Sequence, residues 1–512
     1  MMRRKRSKLK VFLISVLIFA VVGAGTVLGI QFFTKTGLFR IPGVVYYDES
    51  LDENELAILR RIFNEEVDLD KDVYISATNS LDRPILGEGE FLEEIYVPVT
   101  DFYSGKVGVM IENVEMFGTN IDPNLATNCG TEIEIGTNCI QEYRLIKIGE
   151  LDNNKKLLKI NNKYFLDSFD AGAVFRKISF VSEKYEEEIK PLVEAEFTKT
   201  FPDKDDVLTF AQTGVTALSR GMNTKLNSVG GDATYFAEKI GEFLSGFDLT
   251  HTSNESSFSS SANGSNICSN PKFVDTLIAI GLDIVELTGN HNQDCGDEAA
   301  RETLKVYEEN NIKTVGGGAT ATAAAVPLII DKKDTNITML AYNQSTGGAT
   351  LDNTPGANQY YEDKAAAEIK AAKDRGDFVI VDIQYYECNG YDVTTESTVC
   401  DYADSSAGDQ VGLFRHLIDL GADIVVGTSA HQPQTFELYG NGAIYYGLGN
   451  LFFDQIKWPG TRRSLVLVHY FYNGKLLQTR IVPTIYGNNM QTELLDEETA
   501  EWFVTRLANV RP

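Results

Sequence analysis

At 512 residues the chain is too long for one hydrophobic core, because single cores stop growing at roughly 250 to 300 residues, and two or more domains are expected. Its 73 Asp and Glu against 46 Lys and Arg give a formal net charge of -27. No basic stripe follows residue 10, so nucleic acid and anionic lipid surfaces are excluded as direct partners of the body. The acidity otherwise describes a solvated surface and says little about fold.

In chain order, residues 1–10 (MMRRKRSKLK) are strongly basic, and Val11 to Phe33 is an uncharged apolar run long enough to cross a hydrocarbon layer of about 30 Å as a helix. The run exceeds the apolar core of a cleaved signal peptide, roughly 7 to 15 residues, and no small-x-small site closes it. It therefore reads as a transmembrane signal anchor over 11–33, with cleavage as the alternative. Positive charge on its N-terminal side keeps residues 1–10 cytoplasmic and puts the bulk of the chain outside a cell membrane that it spans once.

Residues 37–202 are irregular in pattern, with a charged helical stretch over Glu53 to Glu66 and short strands over Glu94 to Val99 and Lys106 to Ile111. They read as a separate extracytoplasmic domain of unknown role. The charged run Glu183 to Phe201 closes it, and Pro202 with Asp203 marks a boundary. Strands and helices then alternate. Strands are expected at Val207 to Gln212, Asp283 to Leu287, Ile337 to Tyr342, Phe378 to Ile383 and Ile424 to Val426. Helices are expected at Asp232 to Ser245, Lys272 to Ile280, Asp297 to Asn310, Glu362 to Asp374 and Gly408 to Leu420. This rhythm argues an α/β domain, and Ser464 to Tyr472 with Leu477 to Pro483 reads as an antiparallel edge.

Six cysteines form three pairs that are local in sequence: Cys129 with Cys139, Cys268 with Cys295, and Cys388 with Cys400. Outside the cytoplasm these read as disulfides, with neighbour pairing the simplest of 15 connectivities. A zinc site is the rival, but no CxxC spacing supports it. A Cys268–Cys295 bridge would pin the segment that carries His291 to the Ser-rich loop before it.

That segment, FVDTLIAIGLDIVELTGNHNQDCG, ends an apolar strand in Gly-Asn-His. In α/β sheets the carboxyl ends of strands project functional groups into a common crevice, which makes Asn290 and His291 site candidates. An ordinary polar turn is the competing reading. His416 and His469 lie within helix and strand patterns, and with His251 they read as packed or solvated.

Four strand-end segments follow one another: TGVTALSRG from Thr213, TSNESSF from Thr252, TGNHNQDCG from Thr288, and GTSAHQPQ from Gly427 running into IYYGLGNLFFDQ. Together they resemble the capsule-biosynthesis CapA family, the poly-gamma-glutamate synthesis proteins. NHNQDCG is similar to that family's NNHxxDxG, and YYGLGNLFFDQ to its YSLGNFxFDQ; GGGATATAAAVPLII is similar to its GAGxNxxEAxxP stretch. The resemblance covers residues 205–486 and leaves 487–512 as a C-terminal tail. It implies a calcineurin-like metallophosphoesterase fold, a layered α/β/β/α sandwich, behind the separate mixed domain and the transmembrane helix.

The same resemblance implies a centre of two divalent ions, and here the chain departs from it. Val215 stands where the family has a carboxylate, Gln384 and Ser429 where it has histidines. Glu255, Asn290 and His431 remain on matching positions and would serve one divalent ion, manganese or zinc, or none. By resemblance His291 with Asn290 is the catalytic candidate, Arg220, Asn450 and Asp454 are substrate contacts, and Asp294 also matches. Turn formation is the plain alternative for the Asx residues. Three functions are carried forward: synthesis, export or anchoring of an extracellular anionic polymer beside polymer-synthase membrane subunits, a metal-dependent envelope hydrolase, and a non-catalytic binding scaffold.

Overall fold

A computed structural model describes residues 2–3, 43–64, 69, 71–104, 106, 108–110, 143–344, 347–350, 353–385 and 409–512. The apolar run Val11 to Phe33 and the pairs Cys129/Cys139 and Cys388/Cys400 lie outside the described residues. Among those described, no helix is long and apolar enough to cross a membrane. The chain divides into two compact units. The first comprises 1–99, 108–150 and 158–201; the second takes in 100–107, 151–157 and 202–512.

The first unit is built on an antiparallel sheet in which Ala171–Val181 lies between Val73–Asp82 and Glu90–Asp101. Alternation in VYISA buries Val73, Ile75 and Ala77 on one face. Against that face pack Leu59 and Phe63 of the helix Glu53–Asn64, and Val193 and Phe197 of the helix Lys190–Phe197. Asp52 and Glu55 start the first helix with reciprocal backbone bonds of 2.7 Å, a capping box. Glu55 also meets Arg176 through both guanidinium edges, at 2.5 and 2.6 Å, and both side chains are buried. Such a pair is costly to break, because either partner alone leaves an uncompensated buried charge.

The second unit holds two sheets. Strands β1 (Leu208–Thr216), β2 (Leu249–Asn254), β3 (Ile284–Glu286) and β4 (Lys313–Val315) are parallel neighbours. The second sheet runs β5 (Leu328–Lys332), β6 (Thr335–Asn343), β7 (Phe378–Gln384), β8 (Ile424–Gly427), β10 (Gly442–Tyr445) and β9 (Phe436–Tyr439), parallel from β6 to β10. The first sheet is completed by β11 (Asn450–Phe452) beside β1 and by antiparallel β12 (Arg463–Tyr472), β13 (Lys475–Tyr486) and β14 (Thr492–Leu494).

One apolar cluster joins the facing sheets, with Phe210, Ile284 and Leu467 of the first against Met339, Ile380 and Val426 of the second. The other face of the second sheet packs Val381 and Val425 on helices α2 (Glu362–Asp374) and α3 (Gln410–Asp419). Strands covered on both sides read as continuous apolar runs, which is why FVIVDI and DIVV lack alternation. Two expectations change. Residues 487–512, read as a tail, form β14 and the helix α4 (Glu497–Asn509), whose Phe503, Val504 and Leu507 enter the inter-sheet core. The helix expected over Asp232 to Ser245 is two short pieces, Ala233–Ala237 and Gly241–Ser245. The first is a tight turn capped by Asp232, and its Ala233 carbonyl is taken by the Thr276 hydroxyl.

Candidate functional site

The carboxyl ends of both parallel runs meet at one edge of the sandwich. Asn290 follows β3 in the first sheet, Gln384 ends β7 and Ser429 follows β8 in the second. Gln384 Nε2 donates to Asn290 Oδ1 at 3.3 Å and to Ser429 Oγ at 3.2 Å. Glu255 follows β2, and its Oε2 lies 3.9 Å from His431 Nε2. Glycines permit this convergence. A Cβ at Gly289 would stand 2.9 Å from the Glu255 Cα, and one at Gly214 would stand 2.1 Å from the Gly449 carbonyl oxygen, where β11 approaches β1.

Asn450 fixes the imidazole of His431. Asn450 Nδ2 faces two acceptors, the Thr461 carbonyl at 3.0 Å and Gln455 Oε1 at 3.3 Å, so its Oδ1 is the atom turned to His431 Nδ1 at 2.8 Å. Nδ1 therefore carries the proton and Nε2 the lone pair. Burial lowers the His431 pKa to about 4, against the opposing effect of the Asn450 bond, with the charges of His291 and Arg220 adding to the drop. The ring is neutral near pH 7. Phe453 packs beside it, with ring centroids 5.1 Å apart.

Arg220 and Asp454, expected to face a substrate, face each other. The guanidinium reaches Asp454 Oδ1 through Nε at 2.9 Å and through Nη2 at 2.5 Å, and it stacks 4.3 Å above the Phe453 ring. Asp454 Oδ2 also accepts the Gly221 N–H at 2.9 Å. The Arg220 backbone has a φ of 50°, an uncommon value for a side-chain-bearing residue, held by this pairing at the rim. His291 Nδ1 sits 2.8 Å from Asp294 Oδ2 on a half-exposed turn. The disulfide Cys268–Cys295 closes next to it and ties the turn to the Ser-rich loop. Ser257 reinforces that tie by donating to the Asn292 carbonyl.

These residues do not fit a two-ion centre. Val215 is fully buried, with its N–H on the Gly449 carbonyl, and offers no ligand atom. The Asn290 oxygen, which would face a cation, faces the Gln384 N–H instead. Among the described residues no three His, Cys, Asp or Glu side chains converge as metal ligands. Of the three expected ligands, Glu255 and His431 approach each other, while Asn290 turns its oxygen to Gln384. Replacement has turned a set of lone pairs into a set of mutual donors and acceptors.

Sequence reasoning missed a buried group beneath the crevice: Gln212, His251, Glu286, Asp382 and His469. A signal was present for Gln212, Glu286, Asp382 and His469, which interrupt apolar runs, but not for His251, whose strand LTHTSN is polar after its first residue. His416, by contrast, lies half-exposed 3.3 Å from Glu362 and away from these residues.

Facing sheets flanked by helices, with polar groups gathered at the strand ends, define a metallophosphoesterase-like class of α/β protein. Residues 209–455 match the family described as bacterial capsule synthesis protein PGA_cap. The chain is 28% identical over 201 residues to the capsule biosynthesis protein CapA of Bacillus anthracis, across 38% of this chain and 46% of that protein. It is 26% identical over 288 residues to the PGA biosynthesis protein CapA of Bacillus subtilis, across 55% of this chain and 72% of that one. A probable polyglutamine synthesis accessory protein of Mycobacterium tuberculosis is 25% identical over 252 residues, across 45% of this chain and 63% of that protein. The match thus spans less than half the length of the Bacillus anthracis protein. Residues 209–455 are thus similar to the CapA family of capsule synthesis proteins.

Proposed function

We propose that the protein serves in the synthesis, export or anchoring of an extracellular polymer, poly-gamma-glutamate or a related capsule, as a membrane-anchored accessory whose crevice works without a resident metal pair. Similarity to capsule synthesis proteins supports the polymer, since relatives carry capsule or polyglutamine synthesis in their names. The observation that carries the metal-free reading is the Gln384 amide, which bonds Asn290 and Ser429 where ligand lone pairs would otherwise face an ion. The basic N-terminus and the apolar run support a single-pass anchor, with polymer-synthase membrane subunits as the expected partners. With a net charge of -27, direct contact with an anionic polymer calls for bridging cations or a locally basic surface.

Deleting the gene in its host and complementing it tests this. Complementation by the wild-type chain and by Gln384→Asn should restore the surface polymer to comparable levels, and an unchanged polymer yield in the deletion strain would refute the role.

One observation favours a hydrolase as the second reading. His291 is oriented through Nδ1 by Asp294 on a half-exposed turn, which leaves Nε2 as the second ring nitrogen, the disposition of a general base. Phosphoester or amide hydrolysis by the purified chain that disappears in His291→Gln would establish it.

A further inference from the structure

Between the two sheets, one level below the crevice, Gln212 on β1, His251 on β2, Glu286 on β3, Asp382 on β7 and His469 on β12 come together with almost no access to solvent. His469 Nε2 lies 3.2 Å from Gln212 Oε1, Gln212 Nε2 donates to Asp382 Oδ1 at 2.6 Å, and His251 Nε2 lies 3.2 Å from Asp382 Oδ2. The amide sets the direction. Because Gln212 gives its N–H to the carboxylate, its oxygen takes the Nε2 proton of His469, and His469 Nδ1 accepts the Thr479 hydroxyl at 2.9 Å. Asp382 thus ends a run of donors.

Glu286 is the second acid of the cluster. Its Oε1 accepts the backbone N–H of Thr288, the residue that opens the turn carrying Asn290 and His291. Ser253 is its cross-strand partner on β2, and the charges of Asp382 and His251 both act on it. Its cross-strand neighbour on β4 is Val315, and that of Asp382 on β6 is Ala341, neither of them ionisable. Both His251 ring nitrogens, Asp382 Oδ2 and Glu286 Oε2 are buried with no hydrogen-bond partner among the described residues, so the 3.2 Å approach of His251 Nε2 to Asp382 Oδ2 is a contact of charges rather than a hydrogen bond. Each such atom is a cost that needs a compensating role.

Charge counting then limits the cluster. Two ionised carboxylates with one imidazole would leave buried negative charge short of partners, a steep desolvation cost. A proton on Glu286 removes the excess. We propose that His251, Asp382 and Glu286 form a latch that fastens the facing sheets and seats the Thr288 to Asp294 turn, and that the latch loosens when Glu286 loses its proton.

Burial, and after it the Asp382 charge, raises the Glu286 carboxyl above its ordinary range, the direction the latch requires. A pKa that is higher folded than unfolded contributes fully below the unfolded value and is lost as pH rises through the folded one. The turn should therefore be best seated in mild acid and released toward higher pH.

Hydrogen exchange of the full chain, wild type against Glu286→Gln, tests this between pH 5 and pH 8.5, each pair measured at the same pH so that intrinsic rates cancel. The wild-type peptide spanning 287–294 should gain exchange relative to the variant by up to roughly tenfold per pH unit inside the window. A ratio that stays constant across the range overturns the proposal. If Glu286→Gln fails to accumulate, the wild type alone decides: after correction for intrinsic rates, protection of 287–294 should fall with rising pH, and constant protection refutes the latch.

Discussion

His469 shows how a single side chain sets a pH limit. Buried on β12 and bonded to Thr479 and Gln212, it has its pKa pushed down to about 3, first by burial and then by the nearby His251. A histidine depressed in the fold contributes stability that is present above its unfolded value of about 6.5 and is lost as pH falls toward the folded one. Acid should therefore destabilise the wild type relative to His469→Gln by an amount on the order of 4 kcal/mol between those limits. Denaturant unfolding of both chains from pH 7 to pH 4 checks it, and parallel curves would contradict it. The residue itself was visible in the sequence, but its surroundings were not. LVLVHY announces a strand, while one partner of its imidazole comes from the neighbouring β13 and the other from β1, 257 residues away in the chain. Arg220 and Asp454 teach the same lesson. Both matched family positions, yet what they face is decided by a fold that brings residues 234 apart in sequence to 2.5 Å.

Among the elements, the turn after β3 carries most of the candidate chemistry and is also the most tied down. It is held by the disulfide to Cys268, by the Ser257 bond to Asn292, and by the Glu286 carboxyl group at its start. The bridge spans 27 residues of sequence, and a closed loop of that size is worth about 3 kcal/mol in the chain-entropy account. Cys268→Ser with Cys295→Ser should unfold several degrees below the oxidised wild type in a thermal scan, and an unchanged transition would show the turn to be secured without it. This pairing was legible because the two cysteines are sequence neighbours among the six. The α/β rhythm was equally legible, since α2 and β7 begin where apolar spacing changes period. The 487–512 stretch was misread because its amphipathic helix finds its apolar partner in a core assembled from strands far earlier in the chain.

At the scale of the molecule, the second unit is a sandwich with a crevice at its strand ends, and that crevice lacks the ligand set that the resemblance to capsule synthesis proteins implies. Val215 fills space, Gln384 and Ser429 bond each other, and Glu255 with His431 is what remains of a cation site. Restoring the family pattern with Val215→Asp, Gln384→His and Ser429→His should create manganese or zinc binding that the wild type lacks, because each change returns a ligand atom to a strand end. The replacements could be read from sequence, but the reason they disfavour an ion could not. That reason is the direction of one amide, which depends on how three strand ends meet. The most direct measurement is the metal content of the full chain after incubation with manganese or zinc and removal of loosely held ions. The account predicts no stoichiometric metal on the wild type and a clear gain in the triple variant. One or two ions held tightly by the wild type, and lost in His431→Ala, would contradict it.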